Sequence, residues 1–366
     1  MTAPLAMPSG WNDRRVLVTG HTGFKGAWLC LWLASLGARV TGFSLEPETQ
    51  PNLFELAAVG GGMKSLIGDL RDADAVGRAV RDAEPEVVFH LAAQSLVRRS
   101  YAEPVQTFAT NVMGTAHLLE AVRHAPSVRA VVVVTSDKCY ENRGLDRGYA
   151  ESDPFGGHDP YSASKGCAEI LTACWRRSFL DGSGGAAIAT ARAGNVIGGG
   201  DWSQDRLLPD LIRAFESGQP ALIRNPAAIR PWQHVLEPLA GYLRLAEALL
   251  AEGSVHARGW NFGPDATATA TVGTVADLAV RQWGIDAGWI TDGSHHPHEA
   301  GILMLDAALA RRALRWTPRL SLERAVADTV GWHRELAAGA SAADLCLRQI
   351  AAYLGTPAIA SPEGAA

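Results

Sequence analysis

The feature that most constrains this chain is a glycine-rich turn between an apolar run and a helical stretch, close to the N-terminus. Residues 15–19 read Arg-Val-Leu-Val-Thr, which is typical of a short buried strand, and Thr19-Gly20-x-x-Gly23-x-x-Gly26 follows at once. Glycines permit a tight turn and a close approach of a diphosphate, and the helix behind them offers free N–H groups to an anion. The alternative is a packing turn without a ligand.

Strand-like and helical segments alternate through the first half of the chain. Strands are predicted at 15–19, 38–43, 64–68, 86–91, 130–135 and 186–192, and helices at 27–36, 72–83, 105–124 and 160–180. Near-continuous β-branched runs between helices indicate parallel strands covered on both faces. We therefore predict an α/β fold, a Rossmann-type doubly wound parallel sheet with a smaller C-terminal substrate lobe.

The pattern of the chain changes after Gly194, where short pieces are interrupted by histidine, tryptophan and proline. We expect an N-terminal extension at 1–13 and an NAD-binding domain at 14–194, with return segments at about 230–263. A mainly substrate-binding lobe at 195–338 and a C-terminal helix or tail at 339–366 complete the division. A chain of 366 residues is long for one core, which fits one large domain or two unequal lobes.

Charge and cysteine content exclude several classes of protein. The net charge is −5 and no block of basic residues is present, which argues against a nucleic-acid surface. The longest apolar stretch, 27–37, is too short to span a bilayer, and no secretion signal is recognisable at the N-terminus. Five cysteines without a C-x-x-C pair fit a reducing compartment, so a cytoplasmic enzyme is expected.

Lysine is rare in this chain. The 33 basic residues include only four lysines, namely Lys25, Lys64, Lys138 and Lys165, and three of these lie in motifs. Lysine can shift its pKa and release a proton, whereas arginine stays charged, so a retained lysine is a candidate for chemistry. The alternative is an arginine-rich codon usage that left four lysines by chance.

Two short motifs carry the candidate chemistry. Tyr161 and Lys165 are four residues apart and share one face of the predicted helix. A phenol becomes a base near pH 7 only if its phenolate gains ~4 kcal/mol, which a nearby ammonium and a cationic nicotinamide ring can supply. Ser136, Asp137 and Lys138 follow the fifth strand, at the edge where open α/β sheets bind ligands. The alternative for Tyr161 and Lys165 is a solvated helix face without a catalytic role. The alternative for Ser136, Asp137 and Lys138 is an ordinary turn at the end of a strand.

The residues at the ends of the second and third predicted strands indicate which dinucleotide is bound and how. The second strand lacks the usual ribose-binding carboxylate, so Ser44 is the preferred contact, with Glu46 possible. No arginine cluster for a 2′-phosphate is present there, which favours NAD over NADP. Asp69, after the third strand, suits an adenine contact or, equally, a cap on the next helix.

Several further motifs, taken in order, resemble those of a known family. The glycine turn, Gly68-Asp-Leu-Arg, His90-Leu-Ala-Ala-Gln94, Asn111-Val-Met-Gly-Thr115 and Tyr-x-x-x-Lys resemble the extended short-chain dehydrogenase/reductases. Gly-His-Thr-Gly-Phe-Lys-Gly, Thr-Ser-Asp-Lys-Cys-Tyr and Gly157-His-Asp-Pro-Tyr-Ser-Ala-Ser-Lys-Gly166 are similar to the nucleotide-sugar 4,6-dehydratases, in particular the branch that uses CDP-glucose. The resemblance covers roughly residues 11–335.

The resemblance implies a hydro-lyase that converts CDP-glucose to CDP-4-keto-6-deoxy-glucose with tightly bound NAD. Tyr161 would deprotonate the 4-hydroxyl while NAD⁺ accepts hydride from C4, a base would remove the C5 proton, Asp137 would protonate the departing 6-hydroxyl, and hydride would return to C6. Related dTDP-glucose enzymes carry glutamate where this chain has Lys138 and threonine where it has Ser136. Lys138 is expected to act as the C5 base or as a stabiliser of the enolate.

The resemblance also implies binding residues, partners and a pathway. Cofactor contacts are expected from Gly20, Thr22, Gly23, Phe24, Lys25, Gly26, Ser44, Asp69, Leu70, Leu91, Ala92, Ala93, Gln94, Asn111, Tyr161 and Lys165. Substrate contacts are expected from Gln94, Ser95, Asn195, Arg230, His298 and Glu299. A homodimer built on the helices at 105–124 and 160–180 is implied, as is deoxysugar biosynthesis for lipopolysaccharide O-antigen. No metal is expected, because His295, His296 and His298 lack a firm ligand spacing.

Other functions stay open at the level of sequence. One class comprises a dTDP-glucose or GDP-mannose 4,6-dehydratase or a nucleotide-sugar 4-epimerase, although an epimerase needs no acid beside Ser136. The other is an NAD(H)-sensing protein without catalysis, which the retained Tyr161 and Lys165 disfavour.

Overall fold

A computed structural model describes residues 9–180, 185–265, 269–284, 287–294 and 301–356. Its strands are β1 Arg15–Thr19, β2 Arg39–Ser44, β3 Lys64–Ile67, β4 Val87–His90, β5 Ala130–Val134, β6 Ala187–Ala193, β7 Val196–Ile197, β8 Ala221–Ile223, β9 Ile229–Arg230, β10 Gln233–His234, β11 Gly259–Phe262, β12 Ala270–Thr271 and β13 Trp289–Thr291. Seven of them form one parallel sheet in the order β11-β6-β5-β4-β1-β2-β3. The predicted doubly wound parallel sheet is confirmed.

Helices cover both faces of this sheet. They are α1 Phe24–Ser35, α2 Leu53–Leu56, α3 Ala73–Ala83, α4 Val97–Ala102, α5 Pro104–Phe108, α6 Gly114–Arg123, α7 Pro160–Trp175, α8 Leu207–Glu216, α9 Leu236–Glu252, α10 Val272–Trp283, α11 Ala308–Leu314, α12 Leu322–Ala337 and α13 Ala342–Leu354. One-turn 3₁₀ segments lie at Val59–Gly62, Asp137–Cys139 and Gly253–His256, and π-helical turns at Ala109–Met113 and Arg176–Leu180.

The seven-stranded sheet separates two apolar clusters. On one face, β-strand side chains such as Val16 and Val132 pack with α1, α9 and α13. On the other face, Leu17 and Val131 pack with α3, α6 and α7. Alternate residues of one strand therefore serve opposite clusters, which explains why the strands read as continuous apolar runs.

The C-terminal helix α13 belongs to the first cluster. Its Leu345 and Ile350 are buried there, and the Tyr353 ring lies edge-on to Trp32 of α1, with ring centroids 5.8 Å apart. The Tyr353 hydroxyl donates to Glu237 Oε2 of α9 at 2.8 Å. These contacts tie α13 to the sheet, while the predicted tail at 357–366 lies outside the described residues.

A smaller apolar cluster lies beyond the carboxyl ends of the strands. It joins α8, β8, α10 and α12 through buried residues such as Leu211, Val275 and Val326. Three short two-stranded pairings lie in or beside this lobe, namely β10 with β7, β12 with β9 and β13 with β8. The strand order reverses between β1 and β4, which is the position where doubly wound sheets bind ligands. Among the described helices, none has the length and apolarity needed to cross a membrane.

Candidate active site

A large cleft lies between the carboxyl edge of the sheet and the smaller lobe. Its volume is about 1120 Å³. This volume lies just above the ~300–1,000 Å³ of a pocket for one drug-sized ligand. The side chains and loops that line it come from both halves of the chain, from Gly20 to Leu303.

The glycine turn forms one wall of the cleft. Gly20 has φ +77°, and a Cβ there would lie 2.7 Å from the Ala92 nitrogen; at Gly26 it would lie 2.0 Å from the Gly20 carbonyl oxygen. Gly23 precedes α1 and leaves the first turn of that helix without a side-chain cap. Uncapped N–H groups beside a backbone free of side chains suit a diphosphate, so these residues fit the dinucleotide that the sequence predicts.

Most other predicted cofactor residues border the same space. The cleft is lined by Thr22, Phe24, Lys25, Ser44, Asp69, Leu70, Leu91, Ala92, Ala93, Gln94, Tyr161 and Lys165. Asn111 is an exception, because its amide is buried behind the cleft. Asn111 Oδ1 accepts from the Gln94 nitrogen at 2.8 Å, and Asn111 Nδ2 donates to the Gln94 carbonyl at 3.0 Å. Asn111 therefore holds the backbone of a lining residue and does not itself reach the cofactor space.

A neutral hydrogen-bond network occupies the end of β2, where a ribose-binding carboxylate was missing from the sequence. Ser44 Oγ lies 2.8 Å from Thr22 Oγ1 and 3.1 Å from His21 Nδ1, and His21 Nε2 lies 2.7 Å from Ser65 Oγ. Burial lowers the pKa of His21 to about 4, so its ring is neutral at pH 7. A ribose contact through Ser44 stays a prediction and would require its hydroxyl to leave one of these partners.

Asp69 forms a local ion pair at the end of β3. Its carboxylate accepts from the Arg71 guanidinium and, at 2.8 Å, from the Arg71 backbone nitrogen. The hydrogen bonds from Arg71 lower the pKa of Asp69. The alternative role of Asp69 as a helix cap is wrong, because the Asp72 side chain caps α3 by accepting from the Ala75 nitrogen at 3.0 Å. The adenine contact stays a prediction.

Ser136, Asp137 and Lys138 form a tight turn directly beyond β5. Ser136 caps the 3₁₀ segment by accepting from the Lys138 nitrogen at 3.2 Å, and its hydroxyl donates to Asp137 Oδ1 at 3.0 Å. Lys138 Nζ lies 3.5 Å from the same carboxylate oxygen. Asp137 is 1% exposed, and its Oδ2 has no hydrogen-bond partner among the described residues. An unpaired buried oxygen beside the cleft is suited to exchange a proton with a ligand.

Tyr161 and Lys165 lie on the first two turns of α7. This helix starts with Pro160 at its first position, after an Asp159 cap that accepts from the Ser162 nitrogen at 2.9 Å. Burial raises the pKa of Tyr161 to about 12, although a hydrogen bond with Ser136 acts in the opposite direction. Burial lowers the pKa of Lys165 to about 8, and its Nζ donates to the Val134 carbonyl at 3.3 Å. The Tyr161–Lys165 motif and the Ser136–Lys138 turn therefore lie next to each other in the cleft.

Two further cations share this part of the cleft. Lys25 Nζ donates to the Tyr242 hydroxyl at 3.2 Å, and burial lowers the pKa of Lys25 to about 7, with Lys165 and Arg206 acting in the same direction. Arg206 donates to Asp201 Oδ2 at 2.9 Å and to Ser95 Oγ at 3.0 Å. The sequence interpretation missed Arg206, since it lies in an Asp-Arg pair with no recognisable motif around it.

Of the predicted substrate residues that the structure describes, Asn195 and Arg230 lie on the lobe side of the cleft, and Gln94 and Ser95 lie on the sheet side. The Oδ1 of Asn195 is buried without a partner among the described residues. Arg230 Nη1 donates to the Ile229 carbonyl at 2.9 Å and the Gly301 carbonyl at 3.3 Å, which holds the guanidinium in place. His298 and Glu299, like His295 and His296, lie outside the described residues.

Comparisons with known proteins agree with this geometry. A family model described as GDP-mannose 4,6 dehydratase matches residues 17–329. The chain is 49% identical to the CDP-glucose 4,6-dehydratase of Salmonella typhimurium over 348 residues, which is 94% of this chain and 97% of the relative.

Two solved structures also match. The dTDP-glucose 4,6-dehydratase DesIV from Streptomyces venezuelae, with NAD and TYD bound, has a TM-score of 0.73 and 25% identity, covering 88% of this chain and 97% of that one. A UDP-glucose 4-epimerase from Stenotrophomonas maltophila has a TM-score of 0.77 and 22% identity, covering 89% of this chain and 100% of that one; it shares the fold.

Proposed function

Because the chain belongs to the GDP-mannose 4,6-dehydratase family, we propose that it is a hydro-lyase that converts CDP-glucose to CDP-4-keto-6-deoxy-glucose. The observation that carries this choice is the 49% identity to a CDP-glucose 4,6-dehydratase along 94% of the chain. NAD is the cofactor, supported by the glycine turn and by the NAD bound in the dehydratase with 25% identity. The reaction produces no net redox change.

The first half of the reaction, oxidation at C4, uses Tyr161 and Lys165 of α7. NAD⁺, which the glycine turn would hold, would supply the acceptor for the C4 hydride and the donor for its return to the sugar. Tyr161 takes the proton of the 4-hydroxyl, and the Ser136 hydroxyl turns from Asp137 Oδ1 to donate its one proton to the phenolate. Arg206 adds positive charge near this oxygen, which lowers the cost of its ionisation.

The second half eliminates water and uses the turn beyond β5. Asp137 protonates the departing 6-hydroxyl through its unpaired Oδ2, because a hydroxyl leaves far more readily as water. Lys138, 28% exposed and next to this carboxylate, removes the C5 proton or stabilises the enolate that results. Arg230 and Asn195 bind the nucleotide and sugar from the opposite wall.

The other functions considered are not favoured. An epimerase would not need the Asp137 acid that faces the cleft beside Ser136. A sensor would not need Tyr161 and Lys165 beside that acid. Curated dTDP-glucose 4,6-dehydratases match at lower identity, for example 28% over 339 residues for a protein of Xanthomonas campestris.

The test is incubation of the purified protein with CDP-glucose and, separately, with dTDP-glucose, with NAD present. We expect the alkaline absorbance of a 4-ketosugar with CDP-glucose. Turnover of dTDP-glucose alone would refute the choice of nucleotide, and no turnover of either would refute the enzyme.

We also propose a homodimer formed through the helices around Val105 and Ile170. Val105 is 82% exposed and Ile170 is 59% exposed, and Met113 and Phe179 add apolar surface on the neighbouring turns. Such a patch is usually covered by a partner. Ile170→Arg is expected to give a monomer by light scattering, and an unchanged mass would exclude this face.

We also propose a location in the cytoplasm and a role in deoxysugar biosynthesis. The location in the cytoplasm is supported by five cysteines that are all free. A role in deoxysugar biosynthesis follows from the product, and its end use in lipopolysaccharide O-antigen rests on the family resemblance.

A further inference from the structure

Ser136, Asp137 and Lys138 lie in a short segment of chain whose two ends contact one buried ion pair. We call residues 135–140 the acid segment. Its first residue, Thr135, follows β5, and its last, Tyr140, follows the 3₁₀ turn. Both side chains point away from solvent and reach the pair formed by Glu169 and Arg192.

Glu169 lies on α7 and is 3% exposed. Its Oε1 accepts from Thr135 Oγ1 at 2.5 Å and from Arg192 Nε at 2.8 Å. Its Oε2 accepts from Thr190 Oγ1 at 2.6 Å and from Arg192 Nη2 at 2.8 Å. Each oxygen therefore receives one threonine and one guanidinium nitrogen, and the buried charge is fully compensated.

Arg192 extends this network to the other end of the acid segment. Its Nη1 donates to the Tyr140 hydroxyl at 2.6 Å, and that hydroxyl donates to Asn261 Oδ1 at 2.7 Å. The guanidinium also lies over the Tyr140 ring, with its carbon 5.1 Å from the ring centroid. Tyr140 cannot shift without breaking contacts to two other strands, β6 and β11.

Glu169 also lies one helical turn beyond Lys165, on the face of α7 that carries Tyr161. Against the effect of burial, its charge raises the pKa of Lys165 and thereby favours the ammonium form. The Glu169 carboxylate thus contacts the first residue of the acid segment directly and its last residue through Arg192. It also acts electrostatically on Lys165 of α7.

We propose that Glu169, Arg192, Thr135 and Tyr140 are positioning residues that fix the acid segment relative to Tyr161 and Lys165. Glu169 and Arg192 do not line the cleft, and Thr135 and Tyr140, which border it, have their hydroxyls committed to the buried pair. They set the distance at which the Asp137 carboxylate and the Tyr161 phenol act on one sugar. This role rests on the proposed dehydratase function.

Thr190 provides a matched control. Thr135 and Thr190 are both buried, and each donates to one oxygen of Glu169, but only Thr135 belongs to the acid segment. The variants to compare are Thr135→Val, Thr190→Val and Tyr140→Phe. All three lose one hydroxyl from the same network, so similar thermal unfolding midpoints are expected.

The kinetic measurement is kcat and KM for CDP-glucose. Thr135→Val and Tyr140→Phe are expected to lower kcat on the order of tenfold, because small displacements of catalytic groups are costly, with KM changed by less than about twofold. Thr190→Val is expected to stay within about twofold of the unsubstituted protein in both quantities.

A second measurement does not depend on turnover. Amide hydrogen exchange of the peptide that contains residues 135–140 is expected to be faster in Thr135→Val and Tyr140→Phe and unchanged in Thr190→Val. Equal kinetics and equal exchange in all three variants would overturn the proposal. A protein without turnover that still shows the difference in exchange would retain the positioning role and lose the proposed function instead.

Discussion

Replacing Ser136 with alanine is expected to move the pH dependence of turnover to higher pH. Burial raises the pKa of Tyr161 to about 12, and the hydrogen bond with Ser136 is the first of the forces that lower it. A hydrogen bond to a charged group is worth ~1.5–3 kcal/mol, which corresponds to ~1–2 pKa units. Without the hydroxyl the phenolate loses this stabilisation, so the Tyr161 pKa rises and less phenolate is present at any given pH.

The assay is the rate of reduced nicotinamide formation in a single turnover, recorded against pH. This isolates oxidation at C4 from the later elimination of water. In Ser136→Ala the acidic limb of the profile is expected to shift upward by ~1–2 pH units, and at low pH the rate falls ~10–100-fold. Ser136→Thr keeps a hydroxyl and should follow the unsubstituted protein. An acidic limb that does not move in the alanine variant would refute the role given to this hydrogen bond.

Three further outcomes can be measured on single variants. Lys138→Met should reduce elimination while substrate binding, followed by calorimetry, is spared; unchanged turnover would remove this lysine from the mechanism. Asp137→Asn should stop product formation while reduced nicotinamide persists after CDP-glucose is added, and normal product would exclude its role as acid. Gly26→Ala places a Cβ 2.0 Å from the Gly20 carbonyl oxygen and should abolish retention of NAD, whereas Gly331→Ala, with open space around it, should retain the cofactor.

The sheet could be predicted from the sequence because its strands carry strong local signals. The run at 15–19 has the bounds of β1, since a turn glycine ends it directly. The helix after it was predicted to start at residue 27 but begins at Phe24, because Gly23 offers no side-chain cap that would mark the start. The predicted helix at 105–124 contains an unforeseen π turn at Ala109–Met113.

The cleft could be predicted in part. Ser136, Asp137, Tyr161 and Lys165 were found because each lies in a short motif next to a strand or helix end. Arg206 was missed because its position depends on how the smaller lobe folds back over the sheet. Contacts of that kind depend on tertiary packing, and no local pattern in a single sequence encodes them.

The π turn at Ala109–Met113 determines what the loss of one residue from this helix would do. Such a turn holds one residue more than an α-helical turn, and here it brings the Asn111 amide to the backbone of Gln94. Deleting one residue within this turn would convert it to a regular α-helical turn and keep the downstream register, so Leu118 and Leu119 would stay in the core while the Asn111 amide would leave its place beside Gln94. The extra residue of this turn therefore supports the cleft and not the core, so a chain without it is expected to fold and to lose the hold on the backbone of Gln94.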